Sequence, residues 1–226
     1  MQIQNSRLTK STGKRKKNSE EGDSTKESLT ESRKFGLGLI FLVICCLAVG
    51  RSTYANPIPS SNILSVPYYS QINDYYCDPA VVQMALQYIS GRVVSQDVLA
   101  AEIGTTPDNT PLDNMSVPFH NRGFLNVNET HTALDELKLL NSQGFLSIIL
   151  IYFDITDHDP DDTHFVLVVG YNETGIFVHD PWPPAWGEPE SRDSGPYAYI
   201  PNDQLSDIWS YDQQWALQIP YPAYSP

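Results

Sequence analysis

The stretch that decides the fold is residues 68–89, YYSQINDYYCDPAVVQMALQYI. From Asp78 onward, Val81, Val82, Met84, Ala85, Leu86 and Ile89 recur at spacings of three and four, the mark of a buried helix. Pro79 suits a first helical turn, where no backbone donor is needed, and Gly91 supplies a stop. Cys77 stands at the start of this run. A thiol at a helix N-terminus lies near the positive end of the helix dipole, which favours thiolate over thiol. The plain alternative is a small buried side chain, because free cysteine is among the most buried residue types. Asp78 acts against ionisation, since a neighbouring negative charge raises a thiol pKa, although its side chain also suits the first turn.

A nucleophilic thiol needs a base. Of the five histidines, His164 alone opens a convincing strand. Residues 164–180, HFVLVVGYNETGIFVHD, read as two strands around an NETG turn. Asp180 ends the return strand, so the hairpin brings its carboxylate back towards His164, where it would orient the ring and stabilise an imidazolium. His179 points to the opposite face by strand alternation and is a bystander. Gln71, upstream of Cys77, offers an amide N–H to an oxyanion, with the Cys77 backbone N–H as second donor.

Gln71, Cys77-Asp-Pro-Ala, HFVLVVGY and GIFVHDP together resemble the C39-like cysteine peptidases, a branch of the papain-like fold, over roughly residues 63–217. The resemblance implies Cys77 as nucleophile, His164 as general base and acid, Asp180 as orienter and Gln71 in the oxyanion hole. It also implies a peptide or protein substrate. Two positions depart from the family pattern: Asp78 stands where glycine is usual, and Thr163 where glycine is frequent. Transporter-fused members cut leader peptides after double glycines. No ATPase or transport domain is read in these residues, so that substrate is not carried over.

Around this constellation, SQDVLAAEIG reads as a second helix capped by Ser95 and ended by Gly104. Residues 105–127 are rich in loop signals, and residues 128–144 read as a third helix with Thr130 or Thr132 as cap and Leu134, Leu137 and Leu140 on one face. FLSIILIYF, residues 145–153, is an unbroken apolar run, as expected of a strand covered on both faces. The tail carries a Pro-rich segment, a short helix in NDQLSDIW and a last strand in QWALQI. Helices first and antiparallel strands second is α+β order, with N-terminal helices packed on a C-terminal sheet.

Residues 1–34 hold nine Lys/Arg and five Asp/Glu with almost no apolar residues, a composition that reads as disordered. FGLGLIFLVICCLAVG, residues 35–50, follows Arg33 and Lys34 and reads as a signal peptide or membrane anchor, with cleavage expected after Ala55. A Pro/Ser linker spans 56–62, and the peptidase-like domain spans 63–226. Either fate of residues 35–55 places the domain at the cell surface or outside the cell, with membrane contact only through residues 35–50 if these are uncleaved. Residues 51–226 carry five Lys/Arg against 22 Asp/Glu, a net of −17 that repels nucleic acid and anionic head groups. Asn114, Asn128 and Asn172 fit the glycosylation pattern.

Asp157, Asp159 and Asp161 imitate the start of a calcium loop, but Asp162 and Val168 stand where glycine and glutamate are required. No metal or cofactor is expected. Trp182, Trp186, Trp209 and Trp215 read as tail packing on the sheet rather than a sugar-stacking surface. The function expected is an exported or membrane-tethered, monomeric thiol hydrolase. The alternative is a catalytically silent papain-like domain binding peptides or cell-surface material. Transglutaminase-like amide exchange uses the same chemical parts, but the gap from Cys77 to His164 and the upstream Gln71 favour the peptidase.

Overall fold

The computed structural model describes residues 58–154, 156, 158–187 and 192–220. Helix α1 (Cys77–Ser90) is buried along almost its whole circumference from Asp78 to Leu86. Gly91 ends it in the left-handed region, at φ 69°, and its N–H closes on the Gln87 carbonyl at 2.8 Å. Helix α2 (Gln96–Ile103) packs beside it and stops in the same way at Gly104. Ser95 holds the cap position there, but its side chain makes no capping hydrogen bond.

The sheet is built from β1 (Asn62–Ile63), β2 (Asn128–His131), β3 (Leu146–Tyr152), β4 (Thr163–Tyr171), β5 (Gly175–Asp180), β6 (Gly195–Pro201) and β7 (Trp215–Ile219). Its order is β2-β7-β3-β4-β5-β6, with β1 pairing β4 off that path and every pairing antiparallel. One face packs on α1, where Val81, Val82 and Met84 meet Ile148, Leu167 and Leu217. The other is covered by Leu137 of α4 (Leu134–Ser142), Leu205 and Ile208 of α5 (Asn202–Ile208), and Trp209. Successive strand residues face opposite ways. A sheet covered on both faces therefore demands the continuous apolar run found in β3, whose Leu146–Ile151 are all buried.

The β4–β5 hairpin is closed by Asn172, whose Oδ1 accepts the N–H groups of Thr174 and Gly175 at 2.9 and 2.8 Å. Its register sets Leu167 opposite His179 and Val168 opposite Val178. Continued towards the strand ends, that register sets Asp180 opposite Val166, two residues from His164 on the same face. Gly170 admits β1, since a Cβ there would fall 2.6 Å from the Asn62 carbonyl oxygen.

Two expectations need correction. Residues 128–144 are not one helix: Asn128–His131 pair with Trp215–Gln218 as β2, and α4 starts after Ala133 with neither Thr130 nor Thr132 as cap. A ladder partner some 86 residues downstream overrides local helical spacing here. The tail also holds β6, formed by the Pro- and Tyr-rich GPYAYIP against β5. Its alternation is broken by half-buried and exposed aromatics, as an edge strand permits. Residues 112–120 supply a 3-10 turn, Leu112–Asn114, and a short helix α3 (Val117–His120) within the expected loop.

Among the described residues no helix is long and apolar enough to cross a membrane. The segment read as signal or anchor, residues 35–55, lies outside them, as does Asp157 of the acidic loop.

Candidate active site

Cys77 occupies the first position of α1, and the segment leading to it is fastened by amides. Gln96 accepts the Ile72 N–H at 3.1 Å and donates to the Ser70 carbonyl at 2.8 Å. Gln83 of α1 accepts from the same Gln96 amide at 3.1 Å. The Gln71 N–H bonds the Pro181 carbonyl at 2.9 Å, linking this segment to the chain just after Asp180. The loop before the helix and the end of the hairpin are thus held together by backbone and amide bonds.

His164 opens β4 and is 3 % exposed. Its Nε2 lies 2.7 Å from Asp180 Oδ1. A carboxylate at Nε2 holds the proton there and leaves Nδ1 as the ring nitrogen open to a thiol. Phe153 stands edge-on to the imidazole, with ring centroids 5.3 Å apart, and Trp182 edge-on to Phe153 at 4.9 Å.

Asp180 is fully buried, and its carboxylate accepts three donors. Besides His164 these are the Trp182 backbone N–H at 2.8 Å and the Arg192 guanidinium, whose Nη1 bonds Oδ2. Burial alone would raise the Asp180 pKa. The charges of His164 and Arg192 and the hydrogen bonds from both outweigh it and hold the carboxyl at about 2. Arg192 was not legible from sequence, where it is one isolated cation before an edge strand. It also places its guanidinium 5.5 Å from the centre of the Phe153 ring.

Cys77, His164, Phe165 and Trp182 share one cleft of about 830 Å³. The backbone of Phe165, the neighbour of His164, and that of Asp78 both act on the Cys77 sulfur to lower its pKa. Both favour the thiolate. Burial and, next, the Asp78 charge outweigh them and push the thiol well above its ordinary value. The helix dipole is therefore opposed at Cys77, which is half-buried with its side chain packed on the core and a carboxyl next in the chain. Asp78 is itself wholly buried, and it accepts a hydrogen bond from the Thr105 hydroxyl.

Gln71 is 3 % exposed and does not line the cleft. Its Nε2 donates to the Asn73 carbonyl at 2.8 Å, and Oε1 has no hydrogen-bond partner. His179 is buried on the other face, with Nε2 donating to the Val66 carbonyl at 2.9 Å and Nδ1 accepting the Tyr197 N–H at 3.2 Å. It anchors the chain before β5's neighbours and takes no part in the cleft. The tryptophans divide. Trp209 and Trp215 are core residues, whereas Trp182 lines the cleft and touches the exposed Trp186 edge-on.

Burial of Asp78 has a measurable consequence. Desolvation raises its carboxyl to about 7, against the Thr105 and Thr110 hydroxyls, which lower it. A folded value above the unfolded one, about 3.9, means this group's stabilisation is complete below pH ~4. It is lost as pH rises to about 7, by up to roughly 4 kcal/mol. Asp78→Asn cannot ionise. Its melting temperature relative to the parent chain is expected to rise by several degrees more at pH 8 than at pH 4.5, by differential scanning calorimetry.

Residues 63–199 match the Peptidase_C39 like family. The chain belongs to that family. Solved C39 peptidase structures share its fold, a papain-like arrangement of helices and antiparallel sheet. A double-glycine-motif protease from an AMS/PCAT transporter, in complex with its leader peptide, is 18 % identical with a TM-score of 0.52, covering 70 % of this chain and 94 % of that one. The peptidase domain of Streptococcus ComA, a bifunctional ABC transporter of a quorum-sensing pathway, is 15 % identical with a TM-score of 0.51, covering 67 % and 96 %. A C39-like peptidase from Bacillus anthracis is 19 % identical with a TM-score of 0.53, covering 70 % and 96 %. No curated protein matches the chain.

Proposed function

We propose that this C39-like protein hydrolyses peptide bonds by thiol acyl transfer. Cys77 is the nucleophile, His164 the general base and acid, and Asp180 the group that orients the imidazole. The observation that carries the reading is the buried His164–Asp180 pair, 2.7 Å apart, opening on the same cleft as Cys77. With the thiol pKa raised by burial and by Asp78, the first step in this reading is general-base catalysis rather than attack by a standing ion pair. The Sγ proton passes to His164 Nδ1 as sulfur bonds the scissile carbonyl carbon. The oxyanion is met by the Cys77 N–H, and the Gln71 amide joins it as second donor only if its side chain turns from the Asn73 carbonyl into the cleft. Collapse expels the amine, which takes its proton from His164, and water then releases the acyl group with His164 again as base.

A related protease is seen with its leader peptide, which supports a peptide as the substrate class. The cleft walls carry Asp74, Asp108, Asp161 and Asp162 and, among the described lining residues, no Lys or Arg. Such a field concentrates cations and is screened by salt over about 8 Å at physiological ionic strength. Peptides with Lys or Arg beside the scissile bond are expected to be cleaved roughly tenfold faster than Glu-substituted ones at low salt. The ratio should shrink as sodium chloride is raised. A salt-independent ratio near one would remove the walls from substrate selection.

The deciding experiment incubates the full chain and its Cys77→Ala variant with a mixed peptide library and reads new amino termini by mass spectrometry. New termini made by the parent chain and absent from the variant support the peptidase. Saturable peptide binding without cleavage would leave the silent binding domain, the reading favoured by the Asp78 charge beside the thiol. Export or tethering through residues 35–55 belongs to the same proposal, and detection of the protein in a cytosolic fraction alone would overturn it.

A further inference from the structure

Residues 106–112 form one wall of the cleft, each of them facing it. Among the described residues the tip of this loop is tied to itself: Thr106 and Asn109 exchange backbone bonds of 2.9 and 3.3 Å. At its base, Asn114 Nδ2 bonds the Ile103 carbonyl at 2.8 Å. Between tip and base, the Asp78 carboxyl accepts a hydrogen bond at Oδ2 from the hydroxyl of Thr105 on the outgoing limb, while its Oδ1 is buried with no partner among the described residues. One wholly buried side chain thus holds the start of the loop, and it belongs to the residue that follows Cys77.

We propose that Asp78 is a positioning residue, fastening the outgoing limb of the 105–112 loop to the helix that carries Cys77 and so setting the width of the cleft for a bound peptide chain. This inference rests on the peptidase reading for its substrate but not for its geometry. A buried carboxyl that served packing alone would need only local donors. Here the donor lies 27 residues away, at the start of a loop that lines the cleft. Glycine or alanine at this position has no acceptor to offer Thr105. The loop would then be anchored only at its base, and the peptide would have to order it on binding, which weakens binding rather than slowing the bond-making step.

The test uses the full chain with Asp78→Ala, Asp78→Asn, Thr105→Val and Thr105→Ser. Hydrogen exchange of the 105–112 amides is measured beside KM and kcat for a cleaved library peptide. The Kd of the same peptide is measured in each variant combined with Cys77→Ala. Asp78→Ala and Thr105→Val are expected to speed exchange in the loop at least tenfold and to raise KM and Kd about tenfold, with kcat within about threefold. Thr105→Ser, which keeps the hydroxyl, should restore both, and Asp78→Asn, which keeps an acceptor oxygen, should fall near the parent chain. Unchanged exchange in the loop, or faster exchange with unchanged Kd, would overturn the proposal. If Asp78→Ala fails to fold, the Thr105 pair decides alone. If the parent chain cleaves no peptide, the peptidase reading falls, while exchange of the loop amides alone still judges the clamp.

Discussion

His164→Ala is expected to lower kcat/KM for peptide cleavage by at least about 10³-fold, because it removes both the acceptor of the thiol proton and the donor to the leaving amine. The fold should survive. After the substitution the Asp180 carboxylate still accepts from Trp182 and Arg192, so no buried charge is abandoned. A stability loss of roughly 1–2 kcal/mol is expected from the lost ring packing and hydrogen bond. Stopped assays with the folded variant, checked by near-ultraviolet circular dichroism, measure the two effects separately. Wild-type turnover in a folded His164→Ala protein would sink the assignment of the base. The same measurement on Asp180→Asn should give an intermediate loss, since the ring remains but its tautomer is no longer enforced.

Arg192→Ala carries the largest expected effect on stability. Arg192 and Asp180 bond each other with both side chains wholly inaccessible to solvent. Removing one partner of a buried pair leaves the other charge uncompensated, at about 3–5 kcal/mol. For a domain of this size, that is a fall in melting temperature of roughly 10 °C or more. The pH dependence should move with it. In the intact protein the Asp180 carboxyl is held at about 2, below its unfolded value. Its contribution, on the order of 2–3 kcal/mol, is therefore present above pH ~4 and lost as pH falls towards 2. Without Arg192 the folded value rises towards the unfolded one, the contribution shrinks, and acid unfolding begins at higher pH. Acid titrations followed by circular dichroism give the midpoint. An unmoved midpoint would show that His164 and Trp182 suffice to hold the carboxylate.

The contrast between these two residues marks where sequence reading stops. His164 and Asp180 can be paired from sequence because a hairpin obeys a period of two and a short turn. Parity and spacing alone bring the carboxylate back to the ring. Arg192 reaches the same carboxylate from beyond the hairpin, through a Pro-rich segment that follows no period. Nothing local predicts its aim. The strand at Asn128–His131 failed for a related reason: its partner lies at Trp215–Gln218, and only the closed sheet brings them into register.

Local pattern by itself determined α1 and its stop at Gly91, the doubly covered β3, the β4–β5 hairpin and the order of Gln71, Cys77, His164 and Asp180 along the chain. Those features rest on interactions between near neighbours, on helical and strand periodicity and on turn chemistry. Tertiary structure decided the rest. It set the environment of Cys77, where packing and a buried Asp78 raise the thiol pKa although a helix dipole alone would favour the thiolate. It recruited Arg192 to Asp180 and Thr105 to Asp78. Desolvation and the meeting of distant charges depend on what the whole chain excludes from water, and that quantity exists only once the sheet, both its covering layers and the loop beside the cleft are in place.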